Sequence, residues 1–205
     1  MSNGIFFIVT APSGAGKTSL VNALVESEES LCVSVSYTTR PARLGEIEGE
    51  NYHFVSKDQF IEMLEGNQFL ESAEVYGHRY GTSHAWVKDK LKSGTDVILE
   101  IDWQGAEQIR CLFPDACSVF ILPPSVAALN ERLQTRAQDD AETIENRMRQ
   151  AVNEMTHMTE ADYVIINDNF DTAKEDLRAV IRSRRLTMNA QETRQAQLMD
   201  SLTRH

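Results

Sequence analysis

Residues Thr10–Leu20 read TAPSGAGKTSL and directly follow the apolar run Ile5–Val9. A short strand, a glycine-bearing turn and a Lys-Thr pair opening a helical pattern form the arrangement that holds a phosphate chain. Backbone amides curl round the anion, the lysine reaches its terminal phosphates, and the hydroxyl meets the metal. Gly14 and Gly16 permit the curled backbone, Lys17 is the cation, and Thr18 supplies the hydroxyl and is the expected metal ligand. The helix that follows adds the positive end of its dipole. Ala11 stands where the pattern has its first glycine, and it is harmless there if φ is negative. Pro12 has no N–H and cannot donate. Within the segment Ala11, Pro12, Ser13, Gly14, Ala15, Gly16, Lys17 and Thr18, the donors must therefore be the amides of Ser13 to Thr18.

Outward from this loop, strand-like runs fall at 5–10, 32–37, 69–76, 96–102, 118–122 and 162–167. Helical spacing of apolar residues covers 19–26, 57–65, 83–93, 103–112, 126–136, 141–157 and 172–185. Thr82 or Ser83 is the expected cap of the third helix, and Pro124-Ser125 opens the fifth. Alternating strands and helices predict a mostly parallel sheet with helices on both faces. Two stretches break the rhythm. Residues 36–96 hold close-set strands punctuated by glycines, as in a small inserted lobe, and the polar, arginine-rich 134–150 reads as a mobile flap.

Composition narrows the function. A chain of 205 residues with 41% hydrophobic content builds a sizeable core without staples. A net charge of −11 argues against a nucleic-acid-binding face, though a few focused cations still suit a small anion. Cys32, Cys111 and Cys117 form neither a CxxC spacing nor an even set, which fits a reducing cytoplasm. No apolar run approaches a membrane span of about 20 residues, and none reads as a signal segment, so a soluble, cytoplasmic protein without a membrane partner is expected. The five histidines show no metal spacing, and Arg178, Arg182, Arg184 and Arg185 read as a solvated or subunit-contacting helix face. The oligomeric state is left open, a homo-oligomer included.

Residues 33–43, VSVSYTTRPAR, place Arg40 and Arg43 three apart around Pro41. Paired guanidinium forks favour a phosphate, to which Tyr52 and Tyr80 can add hydroxyl donors; a solvated basic turn is the plainer alternative. The segments TAPSGAGK, SVSYTTRPAR, GENYHFV, FLESAEVYGHRYGTS, LEIDWQGA and VIINDNFD then occur in one order over nearly the whole chain. In that order the chain resembles the guanylate kinases.

The resemblance implies a P-loop NTPase-type α/β fold: a parallel sheet flanked by helices, an inserted small α+β nucleoside-monophosphate-binding lobe and a helical lid. Its parts would be a core of 1–35, 97–133 and 151–205, a GMP-binding lobe of 36–96 and a lid of 134–150. The implied reaction moves the γ-phosphoryl of ATP, with Mg²⁺, to GMP. By that likeness Arg40, Arg43, Tyr52 and Tyr80 hold the GMP phosphate, and Ser36, Glu71, Thr82 and Glu100 surround guanine. Lys17, Arg132, Arg136 and Arg147 act on the transferring group, and Asn167 lies in the contact region for the ATP base, where an Asx turn is the alternative. Where many relatives read LDID this chain reads LEID, so Glu100 contacts either the base or a metal-bound water; Asp102 is a second acid able to orient hydrated Mg²⁺. Where the family reads GRG around its middle lid arginine, this chain reads TRA.

Chemistry supports guanine as the base. Its N1–H and 2-amino group both donate to one carboxylate, whereas adenine offers an acceptor at N1, and such a site rejects the wrong base by about 10⁴ or more. Asp102–Gly105 fits the DxxG pattern of a GTP-hydrolysing switch, but the chain has no Asn-Lys-x-Asp segment. A kinase for another nucleoside monophosphate lacks a use for the acidic base pocket. A non-catalytic, protein-binding module of the same likeness would be expected to have lost Lys17 or the arginines, all present here.

Overall fold

The structure is a computed structural model that describes residues 4–135 and 141–203, with the backbone alone for 141–144. The main sheet is parallel, in the order β2 (Leu31–Val33), β7 (Asp96–Glu100), β1 (Phe6–Thr10), β8 (Cys117–Leu122), β9 (Tyr163–Ile166). A second sheet runs β4 (His53–Phe54), β3 (Tyr37–Thr38), β6 (His78–Ser83), β5 (Phe69–Val75). The helices are α1 (Lys17–Val25), α2 (Lys57–Glu65), α3 (His84–Lys92), α4 (Trp103–Leu112), α5 (Val126–Thr135), α6 (Ala141–Met155), α7 (Phe170–Arg185), α8 (Met188–Arg194) and α9 (Ala196–Thr203).

Strand alternation explains the layering. Successive side chains of β1 point to opposite faces, so Phe7 and Val9 join one core with Leu20, Leu24, Leu177 and Ile181, while Phe6 and Ile8 join another with Val87, Leu99 and Ile109. The first core packs α1 and α7 on one face of the sheet, and the second packs α3 and α4 on the other. Because β1 lies in mid-sheet, the loop leaving its C-terminal end opens into the crevice where parallel α/β sheets bind ligands.

Several elements differ from the sequence reading. The run 32–37 is not one strand: Leu31–Val33 pairs with β7 and Tyr37–Thr38 with the small sheet, the chain crossing between sheets at Ser34–Ser36. Alternation alone cannot tell which sheet a residue joins, so the break left no sign. α1 begins at Lys17 because Gly16, at φ 92, already caps it. Ser83 caps α3, accepting from the Trp86 amide, and Ser125 accepts from the Ala128 amide before α5. β6 and the C-terminal α8 and α9 were not anticipated.

The arginines of α7 are not a solvated or subunit-contacting face throughout. Asp96, fully buried, accepts from Arg185 Nε at 2.6 Å, from Arg194 and from the Ile5 amide at 2.7 Å. Arg178 and Arg185 both pair with Glu28, each at 3.0 Å. A buried carboxylate needs such partners, and these tie α7 and α8 to the start of β7. No helix among the described residues is long and apolar enough to cross a membrane.

Candidate active site

The phosphate loop is held from both sides. Gly14 and Gly16 adopt φ of 90 and 92, where a side chain would strain the backbone, and a Cβ on Gly16 would collide with the Asn167 amide. Among the described residues the non-glycines at positive φ are Ser30, Asn67 and Tyr76, so Ala11 carries no such strain. Asn167 is buried and donates to the Ala15 carbonyl at 2.7 Å; Arg132 donates to the Asn167 carbonyl at 2.9 Å and lies 3.4 Å from that of Ala15. Both side chains thus brace the outer side of the loop.

On the inner side, Lys17 Nζ donates to the Ile101 carbonyl at 3.0 Å, and Thr18 Oγ1 donates to Glu100 Oε2 at 2.7 Å. A hydroxyl and a carboxylate side by side are the oxygen donors a hard divalent cation takes when nucleotide phosphates complete its shell. Among the described residues no cluster of three or more His, Cys, Asp or Glu could hold a metal alone. Asp102 is partly committed elsewhere, capping α4 through the Gly105 amide at 3.0 Å and accepting from Gln104 at 2.9 Å.

A cleft of about 810 Å³ runs from this loop to the small sheet. Lining it are Ala11, Pro12, Ser13, Gly14, Gly16, Lys17, Thr18, Ser36, Arg40, Arg43, Tyr52, Glu71, Tyr80, Glu100, Asp102 and Arg147. Ala15, Thr82 and Asn167 are buried and Arg132 is half-buried, none of them in the cleft lining, and Arg136 lies outside the described residues.

At the far end Arg40 is nearly buried. It donates to Glu46 at 2.7 and 3.0 Å and to the Pro41 carbonyl at 2.8 Å, with its guanidinium 5.4 Å from the centre of the Tyr52 ring. Burial works against that charge, but Glu46 and Tyr80 outweigh it and raise the pKa of Arg40. Burial pushes the Tyr52 phenol up to about 12, so the hydroxyl stays a donor at neutral pH. Between the two ends sits Glu71, only 4% exposed, accepting from Thr82 Oγ1 at 2.6 Å with Ser36 Oγ 3.5 Å from Thr82. Burial lifts its carboxyl to about 7; Thr82 opposes this and the charge of Asp102 adds to it.

The family model for guanylate kinase matches residues 4–184. The chain belongs to the guanylate kinase family. It is 55% identical over 199 residues to the guanylate kinase of Methylobacillus flagellatus, covering 97% of this chain and 98% of that one. It is 52% identical over 194 residues to that of Hahella chejuensis, covering 95% and 93%. The crystal structure of guanylate kinase from Anaplasma phagocytophilum superposes with a TM-score of 0.78 at 30% identity, over 91% of this chain and 89% of that one.

In this member of the guanylate kinase family, the roles of two cleft residues, Glu46 and Glu154, and of the buried Gly105 escaped the sequence reading. Glu46 fixes Arg40 and also accepts from the Arg43 amide at 2.7 Å. An acid three residues past Arg43 was its only sign, and acids are common there. Gly105 sits where a Cβ would come within 2.5 Å of Glu71 Oε2. Glu154 reaches Ser13 across 141 positions of sequence. Neither of the last two leaves a local pattern.

Proposed function

We infer that the protein is an ATP:GMP phosphotransferase, moving the γ-phosphoryl of ATP to GMP to give ADP and GDP. The observation that carries this reading is a buried carboxylate, Glu71, in the same cleft as a complete phosphate loop. The loop amides and Lys17 bind the ATP phosphates, while Arg40, Arg43, Tyr52 and Tyr80 hold the phosphate of GMP. Glu71, with Ser36 beside it and held by the Thr82 hydroxyl, accepts from the guanine edge. Arg136 and Arg147 stabilise the transferring group; Arg132 joins them, and Asn167 meets the ATP base, only if they exchange the bonds that now brace the loop. Thr18 and Glu100, their oxygens 2.7 Å apart, would hold Mg²⁺ brought with ATP, with Asp102 as a second acid, and the ion would supply charge neutralisation at the phosphates. The protein's own task is alignment and charge stabilisation, since in-line transfer between bound nucleotides needs no protein nucleophile.

ADP release measured with Mg·ATP checks the reading. Turnover that depends on added GMP is expected, and equal ADP release without any acceptor would favour a nucleotide hydrolase. Gly105→Ala gives a sharper local test. Its Cβ would displace the Glu71 carboxylate, so a loss of about ten-fold in kcat/KM for GMP is expected, the scale of about 1.4 kcal/mol of interaction with the base. The KM for ATP is expected to stay within about two-fold, because the loop is not touched. Unchanged GMP kinetics would remove Glu71 from the base pocket.

A further inference from the structure

The Ser13 amide donates to Glu154 Oε2 at 3.1 Å. That amide is among the donors expected to face nucleotide phosphate, and it has one hydrogen to give. A phosphoryl oxygen and the Glu154 carboxylate therefore cannot both hold it at full strength. Glu154 lies in the last turn of α6, beside Ala151, which packs with Leu129 and Leu133 of α5. Those two leucines also bound the space next to Gly14, so one packed unit fixes both the loop and the carboxylate that reaches it.

Two further groups converge on the same point. Tyr76 sits at the β5–β6 hairpin tip with φ 52, followed by Gly77 at φ 73, a turn that favours Asn or Gly over tyrosine. Tyr76 lines the same cleft as Ser13 and Glu154, and the guanidinium of Arg147, seven residues before Glu154 on α6, is 5.9 Å from its ring centre. Burial raises the Glu154 carboxyl, while the Ser13 amide and Lys17 draw it down; Glu154 sits in the field of the lysine meant for ATP.

We propose that Glu154 is an internal anion that competes with the polyphosphate chain of the nucleotide for the Ser13 amide, so that the loop binds nucleotide fully only when α6 withdraws the carboxylate. The proposal rests on the assignment of this loop to ATP. It makes Glu154 a determinant of nucleotide affinity, not a permanent strut for the loop.

Calorimetric titration of the full chain with ATP and Mg²⁺, and separately with inorganic tripolyphosphate, tests it. Glu154→Gln keeps the shape and removes the charge; Glu154→Ala removes the acceptor as well. Both variants are expected to bind ATP and tripolyphosphate about five-fold or more tighter, the scale of one like charge lost a few Å from a phosphate in a partly hydrated cleft. GMP affinity is expected to stay within about two-fold, since its site lies across the cleft. Weaker or unchanged binding of the two polyphosphates overturns the proposal, weaker binding being the mark of a strut. If the unaltered protein failed to phosphorylate GMP, the functional reading itself would fall; normal turnover with unchanged polyphosphate affinity in the variants would sink only the role of Glu154.

Discussion

Lys17→Ala is expected to lower kcat for GMP phosphorylation on the order of a thousand-fold while leaving the chain folded. The lysine is the cation at the loop's inner side, and among the described residues its Nζ makes one hydrogen bond, to the Ile101 carbonyl at 3.0 Å. Losing that bond costs about 1 kcal/mol, or roughly 2–4 °C in the unfolding midpoint of a domain this size. Losing the charge removes the group that stabilises developing negative charge on the transferring phosphoryl. Activity and stability should therefore separate widely. A variant that kept more than about a tenth of its activity would contradict the role given to Lys17.

Glu71→Gln is the second large effect. The glutamine places an NH₂ donor where guanine also presents donors, so one of the two bonds to the base edge becomes a donor–donor contact. A loss of about a hundred-fold or more in kcat/KM for GMP is expected, most of it in KM. The titration of Glu71 gives a companion result. With its carboxyl near 7 in the nucleotide-free protein, the acceptor form predominates above that pH and the protonated form below it. Guanine needs the acceptor form, so binding must expel a proton at acid pH. The dissociation constant for guanosine, which has no phosphate to titrate, should be flat from about pH 8 until the guanine N1–H itself ionises at more alkaline pH, and should rise towards ten-fold per unit well below pH 7. Glu71→Gln should abolish that slope. A slope that survived in the variant would assign it to another group.

What the sequence made legible, and what it did not, follows from the range of the interactions. The loop was readable because Gly14, Gly16, Lys17 and Thr18 act through consecutive backbone and a single helix start. Arg40 and Arg43 were readable as a pair because three residues separate them. Glu154 was not, because its partner Ser13 is reached only through the packing of α5 on α6. Gly105 was not, because its meaning is the space it leaves for Glu71, a residue on another element. The strand at 32–37 failed for the same reason: its partners belong to two sheets, and period-two patterning is the same in both. Asn167 and Arg132 were placed near ATP by likeness, but their present bonds brace the loop from behind.

A phosphate loop and a carboxylate suited to guanine share one cleft, and whether they move a phosphoryl group onto GMP is read most directly from kcat/KM for GMP beside AMP and UMP, with Mg·ATP as donor. GMP is expected to be favoured over AMP by about a hundred-fold or more, since adenine leaves the Glu71 acceptors unpaired. Comparable rates with AMP or UMP would contradict it.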